Sequence, residues 1–161
     1  MNEQASEQQL NGMAEYVAAV DDLLQRPVRT LRIFERQLDR AFGGARRCET
    51  LRAFLLADRG NRLRIVVHET DNLGRDCARL LALQRQFPHA IAIHETHTEA
   101  RRASDPFAVA DERHHVHRFH HDQARGVLRL HDPALTRPFI DRFEEIWSFS
   151  TPSVNATTLG L

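Results

Sequence analysis

Between residues 30 and 95 the chain repeats a single alternation: TLRIFE (30–35), RRCETLRAFLLADRG (46–60), RLRIVVH (62–68), the stretch from Leu73 to Phe87, and HAIAIHE (89–95). The first, third and fifth segments are short apolar runs suited to buried strands. The second and fourth are longer, carry apolar residues at helical spacing, and the second is stopped by Gly60. Consecutive strands separated by helices of this length return parallel to one another through right-handed crossovers. The expectation is an α/β domain with a mixed, mostly parallel sheet flanked by helices.

The flanks add to this unit. Met13, Tyr16, Val17, Val20, Leu23 and Leu24 follow the i, i+3, i+4, i+7 rule, so an amphipathic N-terminal helix ends before Pro27. Residues 1–11 are polar and patternless and read as a disordered N-terminus, leaving 12–161 as one domain. After residue 95 the regime changes. A loop, THTEARRASDP, leads to the short strand FAVAD, a turn at Glu112 and Arg113, and HHVHRF, which together read as a hairpin. GVLRLH (126–131) is a further strand. Asp132 then caps a helix opening with Pro133, whose core stripe is Phe139, Ile140, Phe143, Ile146 and Trp147. Pro138 implies a kink or a second helical start, and the tail TPSVNATTLGL reads as a surface extension.

Composition removes several chemistries. All 22 basic residues are arginine, so neither a Schiff-base lysine nor a Walker-type phosphate loop exists here. Net charge is zero, but residues 1–25 hold five acids and no arginine, which leaves the remainder with an excess of five positive charges. Spread over so many residues, that excess can attract phosphate yet argues against nucleic acid as the partner. The N-terminus lacks a signal-peptide pattern and no apolar run approaches the roughly 20 residues of a membrane span, so a soluble, cytoplasmic chain without membrane contact is expected. Cys48 and Cys77 have no metal or redox spacing and read as reduced structural thiols in helices.

Two groups of residues carry candidate chemistry. HHVHRFHH, 114–121, holds five histidines in eight positions. On a strand His115 and His117 share a face and could chelate a metal, as could His94 and His97, although no H-E-x-x-H arrangement is present. The opposing reading is a half-exposed edge hairpin. The second group is the strand ends, where open α/β sheets bind ligands: Glu35, His68, Glu69, Asp71, His94, Glu95 and Asp111. Arg101 and Arg102, in the loop that follows, suit the recognition of planar anions beside His68, Asp71, His94 and His97.

The order of elements, with QLDRAF, ETDNLGRDCARLLALQRQF, FAVAD, FEEIWSFSTP and TLGL, resembles one half of the phospholipase D-like fold over residues 26–161, and more closely an uncharacterised bacterial domain family of that fold. That superfamily uses the motif His-x-Lys-x₄-Asp, in which histidine is the nucleophile, lysine neutralises charge and aspartate supports. Counting back from Asp111, the lysine position falls on Pro106 and the histidine position on Ser104. The usual G-S-x-N is replaced by HRFHHDQ. Active members assemble two halves, so the resemblance implies a homodimer. The functional expectation is a non-catalytic, cofactor-free module that binds or scaffolds a protein or a phosphate-bearing ligand. The alternative is a metal-dependent enzyme or metal-binding protein built on the pairs His94/His97 and His115/His117.

Overall fold

A computed structural model describes residues 3–153. The expected alternation is present. Strand β2 (Thr30–Gln37), helix α2 (Ala45–Ala57), strand β3 (Arg62–Glu69), helices α3 (Leu73–Asp76) and α4 (Ala78–Gln86), and strand β4 (Ile91–Thr96) form a parallel unit in which β3 lies between β2 and β4. Around it are the N-terminal strand β1 (Ser6–Asn11), helix α1 (Met13–Gln25), strands β5 (Phe107–Ala110), β6 (His114–Arg118) and β7 (Arg125–Leu130), helix α5 (Pro133–Ser148) and strand β8 (Ser150–Pro152). All eight strands join one sheet in the order β1-β7-β6-β5-β2-β3-β4-β8.

Only two neighbouring pairs are parallel and five are antiparallel, so the sheet is mostly antiparallel, not mostly parallel as expected. The reason lies in the two ends of the chain. SEQQLN, expected to be disordered, is edge strand β1 on β7, with only Leu10 buried. An edge strand is held by main-chain bonds on one side, and its exposed Glu and Gln side chains blunt the free edge against further pairing. Glu7 is in register with Arg129 and pairs with its guanidinium. At the other edge, the start of the expected surface tail pairs with β4 as β8, while residues 154–161 lie outside the described residues.

Strand periodicity sends alternate residues to two cores. Leu31, Ile33, Leu63, Ile65, Val67, Ile91 and Ile93 face α1, α2 and α4, whereas Phe34, Val66, Phe107 and Val109 face α5 through Ile140, Phe143 and Ile146. The expected helix from Leu73 to Phe87 is broken at Cys77, where the backbone leaves helical geometry. Gly43 lies against the break: a Cβ there would lie 2.4 Å from the Asp76 carbonyl oxygen and 2.7 Å from the Cys77 Cα, so the loop after β2 packs main chain against main chain at this point. Both cysteines are free and buried, and burial pushes the Cys77 thiol up to about 11. Helix α5 runs through Pro138 without a second start, and Asp132 caps it by accepting the Leu135 N–H at 3.0 Å.

Candidate functional site: a cleft at the carboxyl ends of β2 and β3

Strands β5 and β6 pair antiparallel, but the half-exposed edge position expected for the histidine tract is corrected, because β7 and β1 lie outside it. Strand β6 lies inside the sheet, with His114 and His115 only 2% and 1% exposed. Each histidine has a local partner. His114 Nδ1 accepts the His131 backbone N–H at 3.0 Å, His115 Nδ1 meets the Thr136 hydroxyl at 2.8 Å, and His117 Nε2 meets Asp105 at 2.9 Å. The rings of His115 and His117 pack on Phe139, and burial lowers both His114 and His115 to about 4. The pair His115/His117 therefore shares a face, as expected, but each ring nitrogen named here is directed to a different protein group. Asp105 also receives both terminal nitrogens of Arg142, which closes this cluster over α5.

His94 and His97 likewise part company. His94 stacks on Trp147 with ring centroids 3.7 Å apart and bonds to the Ser150 hydroxyl at 2.9 Å, whereas His97 is exposed and lies 3.4 Å from the Thr151 hydroxyl. Among the described residues, three potential ligand atoms come within 4.8 Å of one another at His120, His121 and Asp122 in the β6–β7 turn.

The strand-end residues divide between two faces and two ends of the sheet. Asp111 is at the far end. Because β5 runs antiparallel to β2, its last residue meets the start of β2, where the Asp111 carboxylate accepts the N–H groups of Arg29 (2.8 Å) and Thr30 (3.1 Å). Ser104, ahead of β5, lies at the opposite end with Arg36, His68, Glu69, Arg101 and His121, around an open depression of about 280 Å³. Pro106 is buried beside it and uses only its carbonyl, which accepts the Arg118 N–H at 2.9 Å. Asp71 is exposed outside this cleft, and Arg102 turns away from Arg101 into a separate depression with Glu99, Arg142 and Glu145. Of the ligand-binding residues expected from the sequence, the cleft thus unites His68 and Arg101, and omits Asp71, His94 and Arg102.

The electrostatics of the cleft follow from its hydrogen bonds. His68 Nε2 must donate to the Ala103 carbonyl at 2.6 Å, so in the neutral ring Nδ1 accepts from the Thr96 hydroxyl at 2.7 Å. Burial lowers its pKa, which keeps it neutral. Arg36, exposed, donates to His121 Nε2 at 2.8 Å and lies 3.6 Å from Glu69; Arg101 reaches to 3.5 Å from the His68 carbonyl. What remains open to a ligand is the unsatisfied donor capacity of two guanidinium groups beside the half-buried Ser104.

Glu35 and Arg36 are adjacent, so their side chains leave β2 on opposite faces. Glu35 falls under α1, with 16% of its side chain exposed. It accepts from the Tyr16 hydroxyl at 3.2 Å, lies 3.6 Å from Arg118, and burial raises it to about 7. The sequence held the signal for this second polar site, because Glu35 shares the parity of the apolar Leu31 and Ile33. Its partners Tyr16 and Arg118 come from α1 and β6, distant in the chain, so strand-end position alone does not reveal them.

This architecture is that of the phospholipase D-like fold. Nuc, a phospholipase D family member from Salmonella typhimurium, superposes with a TM-score of 0.68 at 15% identity over 93% of this chain and 99% of its own. TrmBL2, an archaeal chromatin protein described with a novel mode of DNA binding, gives 0.66 at 13% identity over 91% of this chain and 54% of its own. Phosphatidylserine synthase from Haemophilus influenzae gives 0.57 at 14% identity over 98% of this chain and 41% of its own. With a DNA-binding protein on the same fold, the modest charge excess no longer argues against nucleic acid. None of the curated proteins matches the chain in sequence. Among the described residues no helix is long and apolar enough to cross a membrane. The family described as Domain of unknown function (DUF7931) matches residues 12–159, and the chain belongs to that family.

Proposed function

We propose that this chain is a non-catalytic phospholipase D-like module that binds a phosphate-bearing ligand in the cleft formed by Arg36, Arg101, Ser104 and His121. The observation that carries the reading is the pairing of two arginines from different elements with a serine that has no free base beside it. The His68 lone pair is occupied by the Thr96 hydroxyl, that of His121 Nε2 by Arg36, and the Glu69 carboxylate lies 3.6 Å from Arg36, so each base lining the cleft already has a partner. With serine and proline at the positions of the superfamily's histidine and lysine, the cleft keeps the capacity to hold an anion without the groups that would transfer it. Guanidinium forks suit phosphate oxygens whether these belong to a nucleotide, an oligonucleotide or inorganic phosphate.

The test is titration with inorganic phosphate and with a 5′-phosphorylated single-stranded oligonucleotide, alongside hydrolysis of a model phosphodiester. Wild-type protein should bind the oligonucleotide without cleaving either ester. Arg36→Ala/Arg101→Ala should weaken binding about tenfold or more, in line with two lost charge-assisted contacts. Turnover abolished by Ser104→Ala, or binding unmoved by the double variant, would overturn the reading.

A further inference from the structure

On the other face of the same sheet end, α1 covers a cavity of about 70 Å³ that the cleft reading leaves unused. On a comparable measure a single water needs ~10–15 Å³, so there is room for a ligand of a few heavy atoms. One side of the cavity is apolar, formed by Val17, Val20, Ile33 and Phe42; the other is formed by Tyr16, Glu35 and Arg118. Arg118 is 8% exposed and poorly satisfied for a buried guanidinium. Its Nε has no partner among the described residues, one terminal nitrogen faces the Met13 sulfur at 2.9 Å, and the other is 3.6 Å from Glu35. Thioether sulfur is a weak acceptor, and buried donors are ordinarily paired, so this arginine lacks an oxygen. Its remaining support is the face of the Tyr16 ring, 5.1 Å from the guanidinium carbon.

We propose that this cavity is a binding site for a small apolar monocarboxylate, whose carboxylate is held by Arg118, Glu35 and Tyr16 and whose hydrocarbon chain lies against Val17, Val20, Ile33 and Phe42. The guanidinium fork supplies donors for both ligand oxygens, including the orphaned Nε. Glu35 decides when that is possible. Ionised, it is the anion already nearest Arg118 and repels a second carboxylate; protonated, it donates to the ligand. Burial raises Glu35 to about 7, and the other charged groups around it are Arg118 from β6, Asp39 after β2, and Arg47 from α2. Arg47 is engaged by Asp21 of α1 at 2.7 Å and by the Val17 carbonyl at 3.2 Å, so of the two arginines lining the cavity among the described residues it is Arg118, through its Nε, that faces the ligand. A ligand that binds only the protonated form loses affinity by up to about tenfold per pH unit above that pKa.

Butyrate, with butylamine as the control of opposite charge, tests this in isotope-labelled protein by NMR titration between pH 6 and 8.5. Butyrate should shift Tyr16, Val20 and the Arg118 Nε resonance, and its Kd should rise about tenfold per pH unit above pH 7. Glu35→Gln, which keeps an oxygen for the Tyr16 hydroxyl but cannot ionise, should bind within a few fold of wild type at pH 6 and show no such slope. Val17→Phe, on the partly exposed side of the cavity, should abolish binding. Butyrate leaving those resonances unmoved at ~50 mM, butylamine binding in preference, or Glu35→Gln keeping the wild-type slope would each overturn the proposal, whether or not Val17→Phe folds.

Discussion

Asp111→Ala is the substitution that best separates a structural acid from a catalytic one. Asp111 occupies φ = 53°, a region that costs a residue with a side chain about 1–2 kcal/mol and that short Asp and Asn tolerate best. One carboxylate oxygen accepts two backbone N–H groups, at 2.8 and 3.1 Å, and the Asp111 N–H donates to the Thr30 carbonyl at 2.9 Å. The acid therefore fastens the end of β5 to the start of β2, in the centre of the sheet. Alanine removes both side-chain bonds, worth about 1 kcal/mol each where water can partly replace them, and adds about 1 kcal/mol of backbone strain. The sum is about 3 kcal/mol, or about 6–12 °C in melting temperature for a domain of this size. Asparagine keeps an acceptor and the backbone tolerance, and should lose about 1 kcal/mol; glycine relieves the strain but not the lost bonds, and should lose about 2. Urea denaturation at pH 7 should rank the proteins wild type, Asn, Gly, Ala. A stable Asp111→Ala protein, or Asn as damaging as Ala, would refute the clasp.

Trp147 is half-buried rather than enclosed, stacked between His94 and Phe143 with Arg64 over its face, so Trp147→Ala should cost about 2–3 kcal/mol in the same denaturation assay, less than a fully buried ring. A loss of 4 kcal/mol or more, or none, would contradict that placement. His114 and His115 are held at about 4 in the folded chain against about 6.5 unfolded, so protons favour the unfolded state and stability falls as pH drops from about 6.5 towards 4. His115→Gln, able to keep the Thr136 bond but not to titrate, should narrow the fall in urea midpoint between pH 7 and 5; an unchanged fall would show that His115 does not contribute.

The parts of the fold that were legible in the sequence are those whose side chains report burial directly. TLRIFE, RLRIVVH and HAIAIHE sit between helices on both sides of the sheet, and their apolar runs say so. Strand β1 was invisible because its energy is in main-chain pairing with β7, while five of its six side chains are exposed. Strand β6 misled for the opposite reason: its histidines look like surface residues, yet hydrogen bonds with the Thr136 hydroxyl and the His131 backbone let His115 and His114 occupy core positions, and Asp105 accepts from the half-buried His117. Neither partner set is local in sequence, so no window of residues could reveal it. The cleft was half legible. Strand ends were the right place to look, but His68 and His94 stand on adjacent strands with different neighbours, Thr96 and Ala103 for one and Ser150 and Trp147 for the other.

The frame around residues 104–121 is held in a way that does not depend on the side chains at 104 and 106. Three main-chain bonds hold it: Arg118 N–H to the Pro106 carbonyl at 2.9 Å, His121 N–H to the Ser104 carbonyl at 2.7 Å, and Phe119 N–H to the Arg125 carbonyl at 3.0 Å. Both 104 and 106 enter these bonds as acceptors, so neither contribution depends on the side chain, and proline's missing N–H costs nothing there. Gly126 completes the turn, because a Cβ at that position would lie 2.3 Å from the His117 carbonyl oxygen. Fold and chemistry are thus carried by different atoms of the same residues. The carbonyls keep the strand pairing, and the side chains at 104 and 106 are free to vary without disturbing it.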